Sequence, residues 1–158
     1  MPEKPPPQPL KAFAIQTSRD LYAKLGRDAS SVHDEVSSDR LFNFFVTAWS
    51  LVDWLKSDES VPHEAKAARD TIQNDPLLQV CRDLANGCKH HTITRYDTST
   101  ERTVSTSGFG LGRFGKGAFG IGEESVVVVM KDGTCYPVLQ LVDDVTEHWR
   151  LFFEKYGI

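Results

Sequence analysis

The sequence predicts a mainly α protein, with a four-helix bundle core, a small antiparallel β-hairpin or sheet insertion and a C-terminal helix. Apolar residues recur every three or four positions between residues 18 and 91, which is the period of an amphipathic helix. Short β-branched runs then cluster between residues 92 and 139, and the helical period returns after residue 141. Because the strands cluster instead of alternating with helices, a helical domain with a β addition is favoured over an alternating α/β fold.

Length and composition are those of one globular domain. The chain has 158 residues, 40% hydrophobic and 25% charged, which is ordinary for a protein with a packed core. Residues 1–9 hold five of the eight prolines, so residues 1–12 are predicted to be a disordered tail. Residues 13–158 are predicted to be a single helical domain with a β-rich segment at about 92–139.

Cysteine usage and hydropathy predict a cytoplasmic protein without a membrane partner. The three cysteines have no disulfide framework spacing, which favours reduced thiols. The N-terminus lacks the apolar segment of a signal peptide, and no run reaches the roughly 18 uncharged apolar residues of a membrane span. The net charge of -4 argues against a general nucleic-acid coat, so any nucleic-acid contact requires a local basic patch.

The first two helices differ in how much of their surface is apolar. The first begins near Thr17-Ser18, with Ser18 as its predicted N-cap. The second, Arg40 to Lys56, is apolar around most of its circumference and is therefore predicted to be central and buried. Its narrow polar stripe either bonds to nearby backbone and water or supports a polar site on a facing helix; the stripe consists of Asn43, Thr47, Ser50 and Asp53.

Two further helices are predicted on either side of the Asn74-Asp75-Pro76 break. One spans His63 to Gln73, and the next runs from Pro76 to about His91, with Asp75 as its cap. Gly87 in the latter would let a backbone or ligand approach closely. The predicted apolar face of this helix comprises Leu77, Cys81, Leu84, Ala85 and Cys88, and its polar side Arg82, Asp83, Asn86, Lys89 and His90.

The remaining elements are strands and one helix. Strands are predicted at 92–96, 102–105, 125–130 and 134–139, and the last two are joined at Asp132-Gly133, a strong hairpin signal. Pro137 predicts an edge strand, since proline has no N–H to donate. The final helix carries an apolar face of Val142, Val145, Trp149, Phe152, Phe153 and Tyr156.

Chemistry-bearing side chains concentrate in the segment Cys81 to His91. Arg82 and Lys89 are seven positions apart, as are Asp83 and His90, so each pair points roughly the same way on a helix. A guanidinium, an ammonium, an amide, a carboxylate and an imidazole are the groups needed to hold a phosphate and move a proton. The alternative is a solvated helix face whose basic end complements the helix dipole.

Two segments resemble HEPN domains and a group of uncharacterised bacterial proteins. They are the aromatic-rich run Phe44–Trp54 and the run Arg82–His90, and the similarity extends over roughly residues 17 to 156. HEPN domains are helical bundles, often dimeric, and many are metal-independent RNases of toxin or defence systems. Their motif is an arginine, a polar residue, and a histidine after four to six residues; here seven residues separate Arg82 from His90.

The resemblance implies a role for each residue of this motif. Arg82 would stabilise the phosphate, Asp83 would be its polar neighbour, and His90 would be the acid/base. Asn86, Lys89 and His91 are further candidate binding residues. RNA or a nucleotide would be the ligand, the protein would be a homodimer, and no cofactor or metal would be needed. The alternative hypothesis is a non-catalytic interaction or accessory module that binds a protein partner.

The glycine-rich segment 107–122 holds seven of the eleven glycines. Arg113 and Lys116 stand among its phenylalanines, a composition that could clamp single-stranded RNA; a loop laid against the core or a dimer partner is the alternative. The G-x-G-x-x-G match at 110–115 has no following helix to hold a pyrophosphate. A metal site from Cys88, His90, His91 and Cys135 lacks the paired spacing of zinc ligands.

Overall fold

The computed structural model describes residues 13–90, 92–107 and 124–158, and residues 106, 107, 124 and 125 by backbone alone. The predicted tail, His91 and nearly all of the glycine-rich segment lie outside the described residues. The predicted fold class is confirmed, because the described residues form five helices and a three-stranded antiparallel sheet. The helices are α1 (Ser18–Asp34), α2 (Ser38–Ser57), α3 (His63–Ile72), α4 (Pro76–Lys89) and α5 (Val138–Tyr156); the strands are β1 (Thr100–Ser107), β2 (Glu124–Met130) and β3 (Cys135–Pro137).

The N-cap of helix α1 lies one residue before the predicted cap. Thr17 is the N-cap, and it forms a capping box in which Asp20 accepts from the Thr17 backbone N–H and hydroxyl. Ser18 is fully buried, and its backbone N–H donates to Asp58 over 2.6 Å. The prediction of Ser18 as cap was therefore wrong, because Ser18 is the residue that packs against the end of α2.

Helix α2 is the central helix, as its all-round apolar surface predicted. It packs against α1, α3 and α4, and its side chains Phe44, Phe45, Leu51 and Leu55 are buried. The N-cap is Ser37, so the helix starts two residues before the predicted Arg40.

The polar stripe of α2 finds its partners in two ways. The Ser50 hydroxyl donates to the Val46 carbonyl oxygen over 2.6 Å, a bond within the helix itself. Thr47, which is buried, joins a pair of charged residues on α1: Lys24 Nζ lies 2.8 Å from Thr47 Oγ1, and that hydroxyl donates to Asp28 over 2.7 Å. Because Lys24 and Asp28 also pair at 2.5 Å, this interhelical triad satisfies its own charges.

Helix α4 starts as predicted and buries more of its surface than the predicted apolar face. Asp75 caps it by accepting from the Leu77 backbone N–H over 2.9 Å. Cys88 of the predicted apolar face is exposed, while Leu78, Val80 and Asp83 are buried in addition to Cys81 and Ala85. The predicted apolar face was wrong at Cys88 and otherwise incomplete, since Leu77 and Leu84 also pack against the core. Because α4 contacts both α2 and the start of β1, two sides of it are covered.

The sheet has the order β1-β2-β3, and both pairings are antiparallel. Residues 92–96 form bends instead of the predicted strand. The hairpin is confirmed, since Gly133 adopts φ of +88° in the turn between β2 and β3. The predicted last strand ends at Pro137, and Val138 and Leu139 already belong to α5. Pro137, on an edge strand, has the fixed φ that suits a helix start.

Helix α5 closes the core with its predicted aromatic face. Trp149 is fully buried and meets Phe152 and Phe153 edge-on, while Phe153 stacks on Tyr22 of α1 with ring centroids 4.3 Å apart. The inner residues of β2, Val128 and Met130, belong to the same core. Among the described residues, none of the helices combines the length and apolarity that crossing a bilayer demands.

Candidate functional site

Asp83 is the structural centre of the predicted site. Its carboxylate is buried, and Oδ2 accepts the backbone N–H of Ser99 over 2.7 Å and of Thr100 over 3.0 Å. Oδ1 faces the Arg82 guanidinium, with Nη2 at 3.2 Å. Asp83 therefore ties α4 to the first residues of β1 and does not lie on the exposed polar side where the sequence placed it, because those two N–H groups need a buried acceptor.

Arg82 and Asn86 both contact one aromatic residue, Tyr96. The Arg82 guanidinium carbon lies 3.9 Å from the centroid of the Tyr96 ring, within the range of a cation–π contact. Asn86 Nδ2 donates to the Tyr96 hydroxyl over 2.9 Å. Residues four apart on a helix are neighbours, so this pair of α4 side chains fixes the position of Tyr96 and of the chain around it.

A groove opens between the C-terminal end of α4 and the segment that follows it. We name it the α4–loop groove; it has a volume of about 250 Å³, and it is lined by Asn86, His90, Thr92, Ile93, Thr94, Arg95 and Tyr96. Asn86 is half-buried, whereas His90 and Arg95 are exposed. The helix ends here because the His90 backbone is extended, while its N–H still donates to the Asn86 carbonyl oxygen.

The structure gathers part of the predicted site and separates the rest. Asn86 and His90 meet in the α4–loop groove, and Arg82 adjoins it through Tyr96. Lys89 is exposed at the end of α4 and is not among the residues that line the groove. His91, Arg113 and Lys116 lie outside the described residues.

Sequence reasoning missed the contributions of Arg95 and Tyr96. Both lie in the run 92–96, whose threonine and isoleucine content predicted a strand. The available signal was their type and position: a guanidinium and an aromatic ring directly after a helix that ends in Lys89-His90. A chain that turns back against its own helix brings such residues beside the helix terminus.

The two cysteines of α4 both have a raised thiol pKa. Burial raises the pKa of the Cys81 thiol, and the negative charge of Asp75 raises it further. Partial burial of its thiol also raises the pKa of Cys88, although the residue as a whole is exposed. A raised thiol pKa leaves little thiolate at neutral pH, and the thiolate is the reactive form.

A metal centre finds no support in the part of the chain that the structure describes. There, no three side chains of histidine, cysteine, aspartate or glutamate converge in a way that could hold a metal ion. The chemistry available at the α4–loop groove is that of an imidazole, an amide and a guanidinium. These groups can bind a phosphate oxygen and transfer a proton without a metal.

Three comparisons with known proteins bear on the identity of the chain. No protein-family model, no curated protein and no solved structure matches it.

Proposed function

We propose that this is a HEPN-like protein that binds RNA phosphate in the α4–loop groove, as part of a bacterial toxin or defence system. One observation supports it most: the groove brings Asn86 and His90, from the motif-bearing helix, together with Arg95. A guanidinium and an amide beside an imidazole form a suitable site for a phosphodiester. A homodimer belongs to this proposal on the strength of the family resemblance alone.

Each side chain of the groove has a role in this proposal. Arg95 binds a non-bridging phosphate oxygen, and Asn86 donates its second amide proton to the same phosphate. His90 acts as the acid/base, because the ring nitrogens of an imidazole can both accept and donate a proton. Within the described residues Arg82 Nη1 makes no hydrogen bond, since Nε and Nη2 face Asp83. Asp83 positions Arg82 and does not touch the substrate.

A second candidate is a non-catalytic interaction module that binds a phosphate or an acidic protein partner in the same groove. The hydrogen bonds that Arg82 and Asp83 make within the protein favour this candidate. Both oxygens of Asp83 accept hydrogen bonds within the protein, and two of the three Arg82 nitrogens face Asp83. A motif arginine that is held this way stabilises the fold even where no cleavage occurs.

Binding is tested with a fluorescent single-stranded RNA oligonucleotide and anisotropy at several salt concentrations. Arg95→Ala should weaken binding about three- to tenfold and should reduce the salt dependence by roughly one phosphate contact. The matched control is Arg27→Ala, which removes an exposed arginine on α1. If both variants bind like the parent, or if the parent does not bind RNA at all, the groove is not an RNA site.

Cleavage is tested separately on the same oligonucleotide. His90→Ala should abolish cleavage while binding stays within about threefold of the parent, since a general acid/base typically contributes 10²–10⁴-fold to rate. His63→Ala, at an exposed position that begins α3, is the control. RNA binding without cleavage by the parent would rule out the RNase and favour the non-catalytic module.

A further inference from the structure

A second and larger cavity lies at the other end of α4. Its volume is about 580 Å³, within the 300–1,000 Å³ usual for small-molecule sites. It is bounded by the start of α4, the β2–β3 hairpin and the first turns of α5. Its apolar lining is formed by Leu77, Val80, Met130, Tyr136 and Leu141. We name it the acidic cavity, for the charged residues at its edge.

Three carboxylates, and no lysine, arginine or histidine, line the acidic cavity within the described part of the chain. They are Asp75, Asp132 and Asp144. The α4–loop groove, which contains Arg95 and His90, has the opposite character. The two ends of one helix therefore carry opposite charge, and the acidic cavity shares no lining residue with the α4–loop groove.

Asp132 and Asp144 are the lining carboxylates whose negative charge is least offset by their surroundings. Asp75 caps α4, so the partial positive charge of the helix N-terminus offsets part of its charge. Asp144 lies nearly two turns into α5, beyond the first turn in which that effect acts. The hydrogen bond from the Thr134 backbone N–H holds the pKa of Asp132 below its usual value, so this carboxylate is ionised at neutral pH.

Neither carboxylate is neutralised by a basic side chain of the described residues. Asp144 Oδ1 accepts from the Gln140 amide, a neutral donor, at 2.8 Å. The lysine next to Asp132 in sequence, Lys131, pairs instead with Asp97, which is not among the lining residues of the cavity. As far as the described residues go, the rim of the cavity therefore carries negative charge over an apolar floor.

We propose that the acidic cavity binds an organic cation with an apolar body, such as an alkylammonium. The ammonium would lie between Asp132 and Asp144, and the alkyl chain would cover Leu77, Val80 and Leu141. Tyr136, which is 38% exposed, offers its ring to the same cation. Apolar area and charge complementarity act together here, because the ammonium stays at the open rim while the chain leaves water.

The test uses three probes that share an eight-carbon chain and carry a cationic, a neutral and an anionic head group: octylammonium, 1-octanol and octanoate. Binding is followed by NMR shifts of the Met130 and Leu141 methyl groups at constant ionic strength. Octylammonium should bind about tenfold or more tightly than 1-octanol, and octanoate should bind weakest. Equal affinities for the three probes, or no saturable shift with octylammonium, would overturn the proposal.

Charge variants of the lining residues complete the test. Asp132→Asn and Asp144→Asn each keep an oxygen for the local hydrogen bond, so the fold should be retained. Each should weaken octylammonium binding about three- to tenfold, the loss expected for one carboxylate close to the ammonium in a solvated site. The control is Asp143→Asn, which removes the same charge from the neighbouring position on α5, outside the cavity lining. If Asp143→Asn weakens octylammonium binding equally, the effect comes from the net charge of the protein, and the proposed site is overturned.

Discussion

Asp83 shows at the scale of one residue how a candidate catalytic group can be structural. The resemblance assigned it the role of polar neighbour to Arg82. In the structure its side chain is about 1% exposed and joins the guanidinium to two backbone N–H groups of another segment. A carboxylate can be buried at this position because each of its oxygens has a partner, and a buried charge without partners would be costly.

Asp83→Ala should lower the free energy of unfolding by about 2–4 kcal/mol. The change leaves two backbone N–H groups and a largely buried guanidinium without their acceptor. Urea denaturation followed by circular dichroism measures the loss. Asp97→Ala is the control: its side chain is 91% exposed, so it should change stability by less than about 0.5 kcal/mol. Comparable small losses in both variants would show that the Asp83 bridge does not stabilise the fold.

At the scale of one element, Gly87 of α4 was predicted to let a backbone or a ligand approach the helix closely. The structure gives no such role to Gly87 within the described residues, because a Cβ built there would meet no atom within 4 Å. Gly87 is exposed and lies inside the helix. Its remaining effect is the entropy that glycine loses on folding into a helix.

Gly87→Ala should raise the free energy of unfolding by about 0.5–1 kcal/mol. It should leave RNA binding unchanged, since Gly87 is not among the residues lining the α4–loop groove. Thermal and urea denaturation measure the first effect, and the anisotropy titration measures the second.

The matched control for Gly87→Ala is Gly157→Ala, the same change at the C-cap of α5. A Cβ there also meets nothing within 4 Å, but the residue adopts φ of +64°. The same methyl group should therefore destabilise the protein by about 1 kcal/mol, because left-handed backbone is strained for residues with a side chain.

If Gly87→Ala weakens RNA binding, the ligand contacts α4 at Gly87, and the proposed groove is misplaced.

At the scale of the whole molecule, the sheet docks on the helices through one face of β2. Val128 is fully buried and contributes to the core, whereas Val127, on the opposite face of the strand, is half-buried. Val127 stands opposite Val104 and Pro137 in the register of the sheet. Alternate residues of a strand face opposite ways, so four consecutive valines contribute unequally to the core.

Val128→Ala should cost about 1.5–3 kcal/mol of unfolding free energy, because the lost methyl groups leave a cavity against the helices. Val127→Ala, the same change one position away, should cost less than about 1 kcal/mol. Both variants lose similar β propensity. The difference between their losses of unfolding free energy therefore measures how much the packing of the sheet on the helices contributes. Equal losses in urea denaturation would mean that the sheet does not pack on the helices through this face.

The arrangement of elements was largely predictable, and the exceptions are caused by contacts between elements. The all-round apolar surface of α2 identified the central helix, and the Asp132-Gly133 pair identified the hairpin. The run 92–96 was predicted as a strand because its residue types suit one, yet Tyr96 is held by Arg82 and Asn86 instead. The buried surface of α4 was underestimated because a single-helix pattern does not reveal that two neighbours cover it.

The sequence by itself determined the helical fold class, the hairpin and the helix that carries the chemistry-bearing residues, because periodicity, capping and turn preferences act over a few neighbouring positions. Only the tertiary structure decided which of these residues share a groove. It buried Asp83, placed Arg95 beside His90 and opened an acidic cavity at the far end of the same helix. Those outcomes depend on contacts between segments that are distant along the chain, such as Asp83 with Ser99 and Thr100, and a local pattern contains no information about them.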